Sequence, residues 1–174
     1  AVWGGFANAG QACASIERLY VHESVAKQFT ELVVEEKRKL TLGQPTGAEI
    51  DLGAMTNERQ LRRVEDHIQD AVGRGARIET GGRRVENGRG WFHEATVMTN
   101  VDHSMEIMRD ETFGPVLPIM TFKTDDEAVR LANDSVYGLT AAVFTSNIAR
   151  GRRLAERIDA EFGQHFLRVL AQQR

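Results

Sequence analysis

Cysteine is almost missing from this chain: Cys13 is the only one in 174 residues. One thiol excludes an intrachain disulfide framework and fits a reducing, cytoplasmic compartment. No run of about 18 apolar residues occurs, so no membrane span is expected. Basic residues are neither in excess nor concentrated, since 22 Lys and Arg stand against 25 Asp and Glu for a net charge of −3. The spots at Arg62-Arg63, Arg83-Arg84 and 150–153 are scattered among acids and read as solvated faces. Binding a phosphate backbone needs concentrated positive charge, so no nucleic-acid partner is expected. No His or Cys cluster has ligand spacing, which leaves metal binding without support. Internal repeats and low-complexity tracts are likewise lacking.

What is present is the make-up of an ordinary globular domain, with 41% hydrophobic and 27% charged residues. The length suffices for one domain with a proper core. The chain opens at Ala1 inside a patterned segment, without an initiator methionine or signal peptide, and is expected to be a piece of a longer one.

Patterning sketches the elements. Residues 1–9 read as the end of a helix delivering the chain to Cys13, and 16–21 alternate apolar and polar as a strand would. Ser24 is the expected cap of a helix to about Leu40, with Val25, Phe29, Leu32 and Val33 on its apolar face. A loop follows over 43–53 with Pro45. A second helix spans about 57–72, with Leu61, Val64, Ile68 and Val72 on one face, ended by Gly73 and Gly75. Strand 77–80, a Gly-rich loop or hairpin over 81–90, an extended stretch over 91–101 and a short helix at 105–108 come next. Strand 116–122 is entered through Gly114-Pro115. Thr124 and Glu127 have capping-box spacing for a helix to about Asn133. Strand 140–144 and a helix over about 147–158 complete the described pattern. Strands alternating with helices of this length imply an α/β fold: an open, largely parallel sheet with helices on both faces.

The chemistry centres on FANAGQACAS, residues 6–15. A lone cysteine is usually a small buried hydrophobe with an inert thiol. Here it stands among small residues just before a strand, where a substrate carbon can reach the sulfur and backbone N–H groups are free to hold an oxyanion. A cysteine hydrolase would need a histidine base, but His22, His67, His93, His103 and His165 lie in no Cys-His signature.

GQACAS resembles the active-site cysteine motif of the NAD(P)-dependent aldehyde dehydrogenases, with Ser15 a mild departure. Further resemblances follow in the family's order: Gly53-Ala54-Met55 with the next helix, Trp91-Phe92 before the strand at 95–98, and the stretch 106–116, similar to Glu-Glu-x-Phe-Gly-Pro-Val. Last comes 132–139, similar to Asn-x-x-x-Tyr-Gly-Leu. The resemblance covers about residues 1–160 and implies the catalytic (thiol) domain of that family, with 161–174 as a divergent tail. A truncated or frame-shifted reading frame would produce such a tail.

The resemblance implies that Cys13 is the nucleophile, forming a thiohemiacetal and then a thioester, with its own backbone N–H as one oxyanion donor. Glu111 matches the glutamate that binds the nicotinamide ribose, and Phe113 the aromatic lining the nicotinamide end. Gln60 and Arg63 fall where related enzymes contact the cofactor from a helix, although solvated helix positions explain them as well. Gly138 and Leu139 read as structural. The implied cofactor is NAD or NADP, the implied substrate a small-molecule aldehyde, with a faint lean towards succinate-semialdehyde or broad-specificity enzymes. The implied parent is a homodimer or homotetramer. The family's nucleotide-binding domain, general-base glutamate and oxyanion asparagine precede the cysteine and are not among these residues, so the isolated chain is expected to be inactive. A CoA-acylating semialdehyde dehydrogenase and a non-catalytic remnant or interaction protein are the alternatives.

Overall fold

In the first unit, one face of each helix meets one face of a twisted sheet, and the alternation of side chains along two central strands separates two cores. The computed structural model describes residues 1–44, 49–86 and 90–161. The chain forms two compact units, Ala1–Thr121 and Phe122–Arg174. The expected Pro45 turn, part of the 81–90 loop and the tail from Phe162 lie outside the described residues.

In chain order the first unit contains α1 (Val2–Phe6), a tight turn (Ala7–Gly10), β1 (Leu19–His22), α2 (Glu23–Arg38) and α3 (Glu58–Gly73). Then come β2 (Arg77–Thr80), β3 (Arg84–Val85), β4 (Phe92–His93), β5 (Thr96–Thr99), α4 (Glu106–Arg109) and β6 (Val116–Phe122). Strands β1, β6, β5 and β2 form a four-stranded sheet in that order. The β5–β6 pair is parallel, with Val97 opposite Leu117, while β2 runs antiparallel to β5 at the edge. Strands β3 and β4 make a separate antiparallel ribbon, the hairpin expected around 81–90.

Successive residues of a strand point to opposite faces. Met98 and Val116 accordingly join Leu61, Val64, Ile68 and Ala71 of α3 and Ile107 and Met108 of α4 in one core. Val97, Leu117 and Ile119 face the other way, against Phe6 of α1 and Val33 of α2. The sheet is thus covered on both faces, as the α/β pattern requires.

Several local expectations shift by a residue or a face. On α2, Phe29 and Val33 pack as expected, but Val25 and Leu32 are exposed and Ala26 completes the packed face, spaced three and four apart along one side. In α3 Ala71 is buried and Val72 is not, because the chain folds back over Ala71 at the helix end. That reversal is a Schellman motif: Ala76 N–H donates to Ala71 O at 2.9 Å and Gly75 N–H to Val72 O at 3.0 Å, with Gly75 at φ 100°. Helix α2 is capped by His22 rather than Ser24. The His22 Nδ1 accepts from the Ser24 N–H at 3.2 Å, placing imidazole nitrogen where a hydroxyl oxygen usually sits.

The second unit carries α5 (Asp125–Asn133) and α6 (Ile148–Ala155). Thr124 Oγ1 accepts from Glu127 N–H at 3.2 Å, and Glu127 returns a carboxylate to the Lys123 N–H at 2.8 Å, one residue before the cap. The Arg150 guanidinium grips the Asp125 carboxylate with two nitrogens, tying α6 to the start of α5. Asn133 bridges to the backbone beyond α6, donating to Arg157 O at 2.9 Å and accepting from Asp159 N–H at 3.0 Å. A Cβ on Gly138 would lie 3.1 Å from Asp159 O, so that glycine permits the close return of the chain, in line with its structural reading. Of the expected strand at 140–144 only Thr140 enters a bridge, and among the described residues no ladder runs along 141–144, where Phe144 is 60% exposed.

Leu61 sits at the centre of the α3 face with no exposed surface. Leu61→Ala should lower the unfolding free energy by about 2–5 kcal/mol, measured by urea titration.

Candidate active site

The turn that presents Cys13 is built on the left-handed side of backbone space. Asn8 and Ala9 both have φ of 54°, and Gly10 follows at 70°. A non-glycine residue there is unfavourable by about 1–2 kcal/mol, so the turn must be held from outside. Asn8 Nδ2 donates to Gln11 O at 3.0 Å, closing the turn on itself. The Gln11 side chain anchors it to the segment before α3: Oε1 accepts from Thr56 N–H at 2.8 Å and Nε2 donates to Asn8 O at 3.2 Å. Ser15 N–H donates to Ala12 O at 2.9 Å, which makes a second turn with Cys13 inside it. Ser15 Oγ donates to Gly4 O at 3.1 Å and fastens the far end to α1.

Ala12, Cys13 and Ala14 are exposed together, so no side chain of the turn covers the sulfur. The Cys13 N–H donates to no other described residue. Among the described histidines none bonds the thiol. His67 Nδ1 meets Thr112 Oγ1, His93 Nδ1 meets Glu94 O, His103 meets the Tyr20 hydroxyl and His22 caps α2.

Gly10 explains why the cysteine turn and the Phe113-Gly114-Pro115 loop share one place. A Cβ on Gly10 would stand 2.0 Å from Gly114 O, and one on Gly114 would stand 2.2 Å from Val64 Cγ2. The two loops therefore meet backbone on backbone, and Gly114 lies against the Val64 side chain of α3, each closer than a β-carbon allows.

The segment leading into that loop is gripped from both sides. The Glu17 carboxylate accepts from Thr112 N–H at 3.0 Å and Phe113 N–H at 3.1 Å. Gln60 Nε2 donates to Thr112 O at 2.7 Å and Phe113 O at 3.1 Å. Arg18 donates through Nε to Met108 O and through Nη2 to Arg109 O, both at 2.6 Å, filling the open carbonyls at the end of α4. Phe113 is held at φ 46°, a conformation it would not keep unaided. Burial raises the Glu17 pKa, and the two backbone N–H groups work against that rise.

Glu111 stands between these anchors, partly exposed, and its carboxylate has no hydrogen bond or ion pair to another described residue. Phe113 is also partly exposed. Gln60 and Arg63 diverge although they lie three apart on α3. Gln60 spends its amide on the loop carbonyls, whereas Arg63 is exposed and lines an open groove of about 720 Å³ with Arg59, Asp66, His67, Glu106 and Asp110. The sequence reading missed Glu17, Arg18 and His67. A Glu-Arg pair set in a strand-like run was the available signal for the first two, since charged side chains there must find partners or water. Residues 16–18 indeed precede β1 rather than joining it. Among the described residues no His, Cys, Asp and Glu grouping could hold a metal ion, and no helix is long and apolar enough to cross a membrane.

Two measurements check this geometry. Gly10→Ala should destabilise the chain by more than about 2 kcal/mol in urea unfolding, since it adds a backbone clash to a strained φ. His67 and His93 are both buried, and desolvation lowers the pKa of each. The unfolded chain then binds protons more tightly than the folded one. Their stabilisation is complete above the ordinary value near 6.5 and is lost as pH falls below it, by up to about 1.4 kcal/mol per pH unit for each histidine. Urea midpoints followed from pH 7.5 to 5.5 should fall, and the fall should flatten in the His67→Gln/His93→Gln double variant.

Comparison with known proteins shows the family of the chain. The sequence model described as "Aldehyde dehydrogenase family" matches residues 1–167. A protein of Sinorhizobium fredii named "Probable succinate-semialdehyde dehydrogenase [NADP(+)]" is 41% identical over 159 residues, which is 91% of this chain and 32% of that protein. The crystal structure of succinate-semialdehyde dehydrogenase from Burkholderia pseudomallei superposes with a TM-score of 0.87 at 37% identity, covering 92% of this chain and 33% of that one. Betaine aldehyde dehydrogenase from Staphylococcus aureus, solved in complex with NAD+, superposes with a TM-score of 0.86 at 35% identity, covering 91% and 32%. The chain spans about a third of the length of these relatives. On the family match and the shared fold together, this chain belongs to the aldehyde dehydrogenase family.

Proposed function

We propose that a whole enzyme containing this chain oxidises an aldehyde to a carboxylic acid, with Cys13 as its nucleophile. The observation that carries the reading is the turn at 12–15, which leaves thiol and N–H of one residue both uncommitted. Attack of the Cys13 thiolate on the aldehyde carbon forms a C–S bond and turns the carbonyl oxygen into an oxyanion. The Cys13 N–H, which bonds no described residue, would donate to that oxygen. The residues present fit a dinucleotide: Glu111 offers two acceptor oxygens that no described group occupies, on a segment whose backbone is fixed. Glu111 would hold the nicotinamide ribose hydroxyls and Phe113 would line the nicotinamide end, while Arg63 is free to reach cofactor from the groove. NAD or NADP supplies the acceptor for the hydride that the cysteine adduct sheds in becoming a thioester. Water then cleaves the thioester, freeing Cys13.

Similarity to enzymes named for succinate semialdehyde supports that substrate class, and the whole enzyme is proposed to act as an oligomer of two or four copies. A CoA-acylating relative would pass the same thioester to CoA instead of water, and the identity of the product separates the two. Activity is assigned to the whole enzyme. The 174 residues alone should turn over aldehyde more slowly by at least two to four orders of magnitude, roughly the loss that follows removal of a general base.

In the whole enzyme Cys13→Ser should abolish acid formation, read as NAD(P)H production at 340 nm, and abolish alkylation by iodoacetamide at this site. Glu111→Gln should raise KM for the cofactor by about tenfold. Full activity in Cys13→Ser would overturn the reading.

A further inference from the structure

We propose that the adjacent pair Glu17–Arg18 forms a positioning clamp for cofactor binding, gripping both ends of segment 108–113 so that Glu111 is presented to the ribose. The inference rests on the reading of Glu111 given above and extends it to two residues that touch neither substrate nor cofactor.

The clamp follows from where the hydrogen bonds go. Glu17 and Arg18 are adjacent in the chain, yet their side chains reach opposite ends of the segment. Arg18 reaches the carbonyls of Met108 and Arg109, and Glu17 reaches the N–H groups of Thr112 and Phe113. Between the two grips lie Asp110 and Glu111. The carbonyls of Thr112 and Phe113 are held in turn by Gln60, so both sides of those peptide units are engaged. A half-exposed loop carboxylate would otherwise sample many orientations, and each ordered rotamer lost on binding weakens affinity. Fixing the backbone beforehand removes part of that cost.

Burying a carboxylate is unfavourable unless its lone pairs are used. Two backbone N–H groups use them here, with Arg18 as the nearby positive charge and Glu111 as a nearby negative one. This arrangement selects for a carboxylate in particular. Glutamine in the same place keeps the shape but turns an NH2 group towards one of the two N–H donors. Lysine in place of Arg18 keeps the charge but lacks the planar fork that meets two carbonyls at once.

The test uses the whole enzyme with Glu17→Gln, Arg18→Lys and Glu111→Gln. Glu17→Gln should raise cofactor KM by about tenfold with kcat within about twofold of the parent, since the chemistry at Cys13 is untouched. Its Cys13 alkylation rate should be unchanged, while amide exchange at Thr112 and Phe113 accelerates at least about tenfold. Arg18→Lys should raise cofactor KM in the same sense, which keeps the test decisive if the Glu17 variant does not fold. A cofactor KM unchanged in Glu17→Gln and Arg18→Lys, alongside a raised one in Glu111→Gln, overturns the clamp and leaves the ribose reading intact. An unchanged KM in Glu111→Gln with raised values in the other two overturns the ribose reading instead, and supports a clamp acting on cofactor through the loop.

Discussion

The candidate site depends on the contact of Gly10 with Gly114, where two loops meet with no room for a β-carbon. Everything at the candidate site is measured from that contact. It brings the cysteine turn onto the Phe113-Gly114-Pro115 loop, and the contact of Gly114 with Val64 seats both on α3. The strain of Asn8, Ala9 and Phe113 in left-handed conformations is tolerable because neighbouring groups fix each of them. Gln11 and Ser15 hold the first loop, and Glu17 and Gln60 hold the second. A site built this way is held at the backbone while the Cys13 side chain, and Glu111 in part, stay open to solvent.

The two cores serve that rigidity from either side of the sheet. Val97 and Leu117 lie opposite each other on one face, and Met98 and Val116 on the other, so β5 and β6 are clamped between α3 and α4 and the helices α1 and α2. Strand β6 begins immediately after the Phe113-Gly114-Pro115 loop, and α1 ends immediately before the cysteine turn. Each functional loop is thereby attached directly to an element with a buried face. Loops placed so carry chemistry while the scaffold supplies the position.

Much of this was legible in the sequence because it depends on neighbours along the chain. Strands at 77–80 and 116–122 form where the pattern puts them, and Asn57 and Thr124 cap their helices through side chains three residues from the bonded N–H. The small residues around Cys13 pointed to a corner before a strand, and a turn stands there ahead of β1. The errors share one cause. Val25 against Ala26, Val72 against Ala71, and the unformed strand at 140–144 each turn on what stands opposite, which periodicity along one element does not report.

By itself the sequence determined the order and type of most elements, the family resemblance and the place of the lone thiol, because local periodicity, capping and turn chemistry act over a few residues. Tertiary structure decided the surroundings of Glu111. Glu17 meets Thr112 and Phe113 across 95 and 96 positions of sequence, and Gln60 meets them across 52 and 53. No pattern along the chain records such pairs. They exist because a partly buried carboxylate and a partly buried amide must find donors and acceptors, and the folded sheet brings those backbone groups within reach.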